Sequence, residues 1–356
     1  MSEDIVSLAE TLDTEDMIGF TKLFVDDLEK GQAAVNRELL PWLTKLQYKW
    51  TGVLFLGMGG SAAGGDFISS LSDRSGKVPI RTHRGYNLPS WWNEDWLIVA
   101  TSYSGNTEET ISATSKAADL GASIVVISSG GQLAGMCELY DRMFLISCPG
   151  GQPPRSAFGH IFARQLALMV EIGILSSRIE ETSLMRLRDA IDNCNILDKP
   201  EGDIASLALN MLEAPIAILG PDELSSALNR FKNQINENSA RFVRIGAFPE
   251  MNHNESVAWG GVGDDQDPTA KEQALLLLTW DGMHRRVHQR MDWFVANCPT
   301  SLAWKIHGEG SSLLESLLHL CIMMDWLSIA LALLHGKNPS SIAPIISLKE
   351  HLSQID

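Results

Sequence analysis

Short apolar runs that end in small, loop-forming residues and lead into helical patterns recur along this 356-residue chain. Val53-Leu54-Phe55-Leu56 ends in Gly57-Met58-Gly59-Gly60-Ser61, with helical character from Ala62. Pro79 to Thr82 reads as a strand, and Trp96 to Ala100 is a strand ending in Thr101-Ser102-Tyr103-Ser104-Gly105. Helix resumes from about Thr107 to Leu120, and further strands are expected over Ser123 to Ser128 and Met143 to Cys148. Strands alternating with helices cannot be closed by hairpins, so the rhythm predicts a mostly parallel sheet flanked by helices on both faces.

The rhythm has helical borders and then restarts. Before it, Phe20, Phe24 and Leu28 recur every four residues on one face of a helical region over 10–48. After it, Ala157 to Asn195 reads as mostly helical. Strands are then expected at Ala217 to Leu219, Phe242 to Arg244 and Leu275 to Thr279, with a helix at Phe231 to Asn238 and another after Thr279 through Arg290. A long helix over Leu313 to Leu334 and a last one near Ile346 to Leu352 close the chain. The expected architecture is α/β with two αβα units, 1–195 and 196–356, and the length suits two domains.

Composition narrows the partners. Asp and Glu number 44 against 28 Lys and Arg, a net charge of −16. Nucleic acid and anionic membranes reward basic patches, so neither is an expected partner. The five cysteines are odd in number and without metal-type spacing, and the acidic start lacks a signal peptide's basic and apolar regions. Reduced thiols in a cytoplasmic protein are the expectation. Leu317 to Leu334 is apolar enough to raise a membrane span, but the central Asp325 opposes insertion by roughly 2.5–3.5 kcal/mol. A buried helix of the second core is expected instead.

Two loops carry chemistry. Gly57-Met58-Gly59-Gly60-Ser61-Ala62 follows a strand and opens a helix, where backbone N–H groups and the helix dipole suit an anion. Gly57, Gly59 and Ala62 also fit the dinucleotide spacing GxGxxG/A, but that reading needs a carboxylate at the end of the next strand. The sequence there is Ile80-Arg81-Thr82-His83-Arg84. A glycine-rich turn without ligand is the plainer alternative. In the second loop, Ser102, Ser104 and Thr107 surround Gly105 at a helix start, and hydroxyls with free amides can satisfy phosphate oxygens without positive charge. The segment is not the GxSxG of a nucleophile elbow. Its plainer reading is a turn capped by Thr107.

GMGGSAAGGD and TSYSGNTEET resemble the phosphosugar-binding loops of sugar isomerase (SIS) domains. With Pro154-Arg155-Ser156-Ala157, Asn236-Glu237-Asn238, Glu250-Met251-Asn252-His253-Asn254-Glu255 and Leu348-Lys349 in order, nearly the whole chain resembles the bifunctional phosphoglucose/phosphomannose isomerase family. The resemblance implies two SIS domains, a sugar-phosphate substrate, and an aldose–ketose isomerisation through an enediol, with neither metal nor cofactor. It implies phosphate contacts at Gly60, Ser61, Ser102, Ser104 and Thr107, and the proton-transferring base at Glu237. A partly desolvated carboxylate suits reversible proton transfer. It places ring opening on His253, given by the neighbouring subunit of a homodimer, enediolate stabilisation on Arg155, and Lys349 near the sugar ring. Apart from the resemblance, Glu237 would read as a solvated helix residue, His253 as a loop or core histidine, Arg155 as a loop arginine and Lys349 as a helix C-terminal cation.

The chain departs from the family pattern at Ala240, where a lysine is usual, at Pro153, where a glutamine is common, and at Asn338, where an aspartate is common. Lys337 is given no catalytic role. His284 and His288 have helical i, i+4 spacing, but Arg285 and Arg286 repel a cation, so a solvated face is expected. The ten tryptophans read as core and interface residues. Three functions thus stand: an isomerase, a non-catalytic sugar-phosphate-binding SIS protein, and an NAD(P)-dependent oxidoreductase. The acidity does not exclude a phosphorylated substrate, because salt limits its reach to about 8 Å.

Overall fold

The computed structural model describes residues 4–355. Helices α1 (Ile5–Leu12), α2 (Met17–Lys22) and α3 (Phe24–Ala33) lead into β1 (Gly52–Leu56) and α4 (Gly59–Ser75). Then come β2 (Ile80–His83), β3 (Trp96–Thr101), α5 (Glu108–Asp119), β4 (Ile124–Ser128), α6 (Gly131–Met136) and β5 (Met143–Ser147). These strands form one parallel sheet in the order β2-β1-β3-β4-β5. Every residue of β1 and β4 is buried, as expected of parallel strands covered on both faces.

Helices α7 (Phe158–Glu171), α8 (Glu181–Cys194) and α9 (Asp203–Asn210) lead to the second unit. It comprises β6 (Ile216–Pro221), α10 (Ser225–Ser239), β7 (Val243–Phe248), α11 (Glu255–Trp259), β8 (Ala274–Trp280), α12 (Arg285–Asn297), β9 (Ala303–Gly308), α13 (Leu313–Leu334) and α14 (Ala343–Leu352). Its sheet is also parallel, in the order β7-β6-β8-β9. Two parallel sheets flanked by helices match the expected α/β class.

The differences are local. The helical region before β1 breaks at Leu23, and the stretch after β5 breaks between α7 and α8. Helix α10 starts six residues before the expected Phe231, and β7 runs on to Phe248. Strand β9 and helix α9 had no expectation. Helix α13 has the length and apolarity of a membrane span and is buried inside the protein, with Asp325 paired to Arg230 at 2.6 Å. All of α14 is exposed.

Candidate active site

The first sheet fixes where a ligand belongs. From β1 the chain crosses by α4 to β2 on one side, while β3 and its successors lie on the other, so the sheet changes direction between β1 and β3. Crevices outside the carboxyl ends of strands at such a point are the ligand sites of open α/β sheets. Both loops open there. Gly59 (φ 50°) turns the chain into α4, and Ser61 in its first turn accepts a hydrogen bond from the Tyr103 amide at 3.2 Å. Ser102, fully buried, shares a hydrogen bond with Thr107 at 2.8 Å. Thr107 therefore sits at the N-terminal boundary of α5 without capping it through its side chain. Ser104 is exposed and accepts from the Asn106 amide at 3.3 Å. Gly105 (φ 71°) lies so close to Gly130 that a Cβ would meet its carbonyl oxygen at 1.8 Å.

The arginine loop is stapled onto this pair. After β5 the chain returns across the sheet, and a Cβ on Gly60 would lie 3.3 Å from the Pro154 carbonyl and 3.5 Å from Arg155 Cα. The Gln152 amide donates to the Tyr103 hydroxyl at 3.1 Å, and the Gln152 side chain donates to Asp27 at 3.0 Å. Asp27 also faces the buried His160 at 3.0 Å. None of these contacts had a sequence signal beyond Tyr103's place among the hydroxyls.

Helix α10 brings the carboxylate. As the crossover between β6 and β7 it runs back along the second sheet, so its last turn, with Glu237 and Asn238, reaches that sheet's amino edge. Glu237 Oε2 lies 3.7 Å from Arg155 Nη1. Burial pushes the Glu237 carboxyl above the ordinary carboxylate range, against the pull of Arg155 and Arg230. Burial lowers the Arg155 guanidinium, opposed by the charges of Glu237 and Glu15. Arg155 Nη2 donates to the Pro339 carbonyl. Asn338 beside it bonds Thr14 at 3.0 Å, closing the same rim. Ala240, the departure after the Asn-Glu-Asn motif, takes a left-handed conformation (φ 53°) that turns α10 into β7.

Two expected residues lie elsewhere. His253 ends a short 3-10 turn, Glu250–His253, that follows β7 at its carboxyl end. Glu237 precedes the amino end of the same strand. Six extended residues span about 20 Å, so within one chain the two side chains are held at opposite ends of β7. His253 is exposed, and among the described residues its side chain forms no hydrogen bond. Its neighbour Asn252 lines an open groove of about 530 Å³ with Arg286, Arg290 and Trp293. Lys349 is exposed on α14, and among the described residues it forms no ion pair. His284 caps α12 by accepting from the Arg286 amide at 3.1 Å. No group of three metal-ligating side chains converges among the described residues. At the end of β2, Arg84 pairs with Asp66 of α4, and the strand's own last residues, Arg81 to His83, carry no carboxylate of the kind that binds a dinucleotide ribose.

Residues 201–352 match the model of the bacterial phospho-glucose isomerase C-terminal SIS domain. A bifunctional phosphoglucose/phosphomannose isomerase from Caldicellulosiruptor bescii is 33% identical over 311 residues, 85% of this chain and 90% of that protein. One of the same name from Aquifex aeolicus is 31% identical over 315 residues, 86% of this chain and 91% of that protein. The solved tagatose-6-phosphate ketose/aldose isomerase from Escherichia coli superposes with a TM-score of 0.66 at 16% identity, covering 92% of this chain and 94% of that one, a likeness of fold. With identity above 30% spread across both units, this chain belongs to the bifunctional phosphoglucose/phosphomannose isomerase family and is an enzyme of the isomerase class.

Proposed function

We propose that this isomerase interconverts glucose 6-phosphate and mannose 6-phosphate with fructose 6-phosphate through an enediol and without a metal ion. The Gly60 backbone and the hydroxyls of Ser61, Ser102, Ser104 and Thr107 hold the phosphate at the strand ends. Glu237 takes the C2 proton of the open-chain aldose and returns it to C1, while the O2 hydroxyl proton passes to O1 in the enediol, giving the ketose. Arg155 meets the negative charge that develops on the enediolate oxygens. His253 of a second copy in a cytoplasmic homodimer opens the ring, and Lys349 lies near the sugar. The chain divides into units 1–195 and 196–356, the matched C-terminal model beginning at residue 201.

One observation carries this reading: a half-buried carboxylate with a raised pKa faces a buried guanidinium at 3.7 Å, beside two anion-suited loops. A raised pKa keeps the base able to give its proton back near neutrality. The separation of His253 from Glu237 along β7 supports a site completed by a second copy.

The test is fructose 6-phosphate formation from each aldose, with EDTA present, by wild type and Glu237→Gln. Turnover of both aldoses by wild type is expected, with a loss of about 10²–10⁴-fold or more in the variant. Thermal stabilisation by the sugar phosphate should persist in the variant. No wild-type turnover of either aldose, with stabilisation retained, would leave a sugar-phosphate-binding protein. Activity lost to EDTA would remove the metal-free reaction.

A further inference from the structure

The guanidinium of Arg155 is gripped by neutral groups. Its Nε donates to Asn238 Oδ1 at 2.6 Å and its Nη2 to the Pro339 carbonyl, leaving Nη1 on the side of Glu237. Asn238 is itself fixed, because its Nδ2 donates to Ser328 Oγ at 2.8 Å. The Ser328 hydroxyl in turn donates to the Asp325 backbone carbonyl at 2.8 Å. Asp325 is anchored by Nη1 and Nη2 of Arg230, at 2.6 and 2.8 Å, and by Gln234 at 2.8 Å. Arg155, Asn238 and Ser328 are 4%, 2% and 0% exposed. A hydrogen-bonded line thus runs from the middle of α13 to the arginine.

The chemistry of each member sets its direction. Arginine only donates, so the amide oxygen of Asn238 must face it and the amide nitrogen must face Ser328. Successive helical residues point about 100° apart, so Glu237 and Asn238 flank the guanidinium from two sides. A carboxylate at position 238 would grip Arg155 as well, but it would add a second negative charge. An amide and a peptide carbonyl fix the plane without a further negative charge, so that Glu237 at 3.7 Å is the one carboxylate paired with the guanidinium that would meet an oxyanion formed during reaction.

We propose that Asn238, held by Ser328, is a positioning residue that aims the Arg155 guanidinium at the reacting sugar without adding a second negative charge beside that of Glu237. The proposal rests on the isomerase reading above. Its test compares the full-length wild type with Asn238→Asp, Asn238→Ala and Ser328→Ala.

Asn238→Asp keeps the side-chain shape, and kcat should fall about 10²-fold, the scale of a misdirected catalytic group, with KM nearly unchanged. Ser328→Ala should lower kcat in the same sense and by less. Chemical rescue separates aiming from folding. Added guanidinium ion should restore turnover to Arg155→Gly and fail to do so in Arg155→Gly with Asn238→Ala. Wild-type kcat in Asn238→Asp, or equal rescue of the two glycine variants, would overturn the proposal. If Asn238→Ala does not fold, Asn238→Asp and Ser328→Ala still decide it by their split between kcat and KM. A nuclear magnetic resonance readout of the Arg155 Nε–H, protected in wild type and exchanging freely in Ser328→Ala, reports the grip without turnover. That signature in a wild type inactive on both aldoses would overturn the isomerase reading, and the catalytic role of the grip with it. Turnover without the signature would overturn the grip alone.

Discussion

Glu237 is pulled in two directions. Desolvation favours its neutral form, Arg155 and Arg230 favour the charged one, and desolvation prevails. The folded chain therefore keeps this proton to a higher pH than the unfolded chain does. Stability must fall as pH rises from the ordinary carboxylate range through the raised value, by up to about 1.4 kcal/mol for each pH step of one that separates the two. Glutamine does not ionise. The melting temperature of Glu237→Gln relative to wild type should thus climb across that window, and wild-type kcat/KM should rise over the same interval. Melts at stepped pH check this, and a flat difference would contradict it. At this scale the sequence supplied identities and withheld partners. Glu237 and Arg155 stood in readable motifs. The contacts of Arg155 with Asn238 and Pro339 bridge 83 and 184 residues, and no local pattern records such distances.

Elements were most legible where apolar character was strongest. The 22 residues of α13 are apolar on all sides and folded as read, and so did the continuous apolar strands β1, β3 and β4. Strand β9 escaped notice because exposed Lys305 and His307 alternate with half-buried Trp304 and buried Ile306, giving a weak edge-strand signal. Helix α10 begins ahead of its expected start because Arg230 packs inward against Asp325, where a polar residue would ordinarily mark a solvent face. Glu315 in the first turn of α13 is a similar case. It accepts from Ser311 at 2.9 Å, Ser183 at 3.2 Å and Arg186, and these hold its carboxyl at about 2, Arg186 contributing most. A depressed folded pKa stabilises above the unfolded value of 4.5 and is lost as pH falls toward about 2. Glu315→Gln should therefore cost about 1–3 kcal/mol at neutral pH, with the gap closing on acidification. Urea unfolding at several pH values measures it, and a gap that is constant with pH would contradict it.

On the scale of the whole molecule, the two units meet so that unlike ends face each other. The carboxyl edge of the first sheet, with its two loops, receives the last turn of α10 from the amino edge of the second. The alternation of strands and helices made both sheets readable. It says nothing of how one sheet addresses the other, because that depends on contacts such as the stacking of Arg230, held by Asp325 within the second unit, over Phe158 at 4.4 Å. The charge of −16 is likewise a property of the envelope, whereas the two loops present hydroxyls and backbone amides near Arg155 and Glu237.

The length of β7 has a genetic corollary. If Glu237 and His253 act on one sugar only across two copies, two inactive variants can repair each other. Glu237→Gln and His253→Ala, unfolded together and refolded, should form mixed dimers in which one crevice has both defects and the other has neither. With random pairing, about a quarter of all crevices regain a full set, since a twofold interface pairs each subunit reciprocally with the other. Activity near a quarter of wild type from two dead parents would be read in a single assay. A mixture that stays dead would mean that each chain works alone.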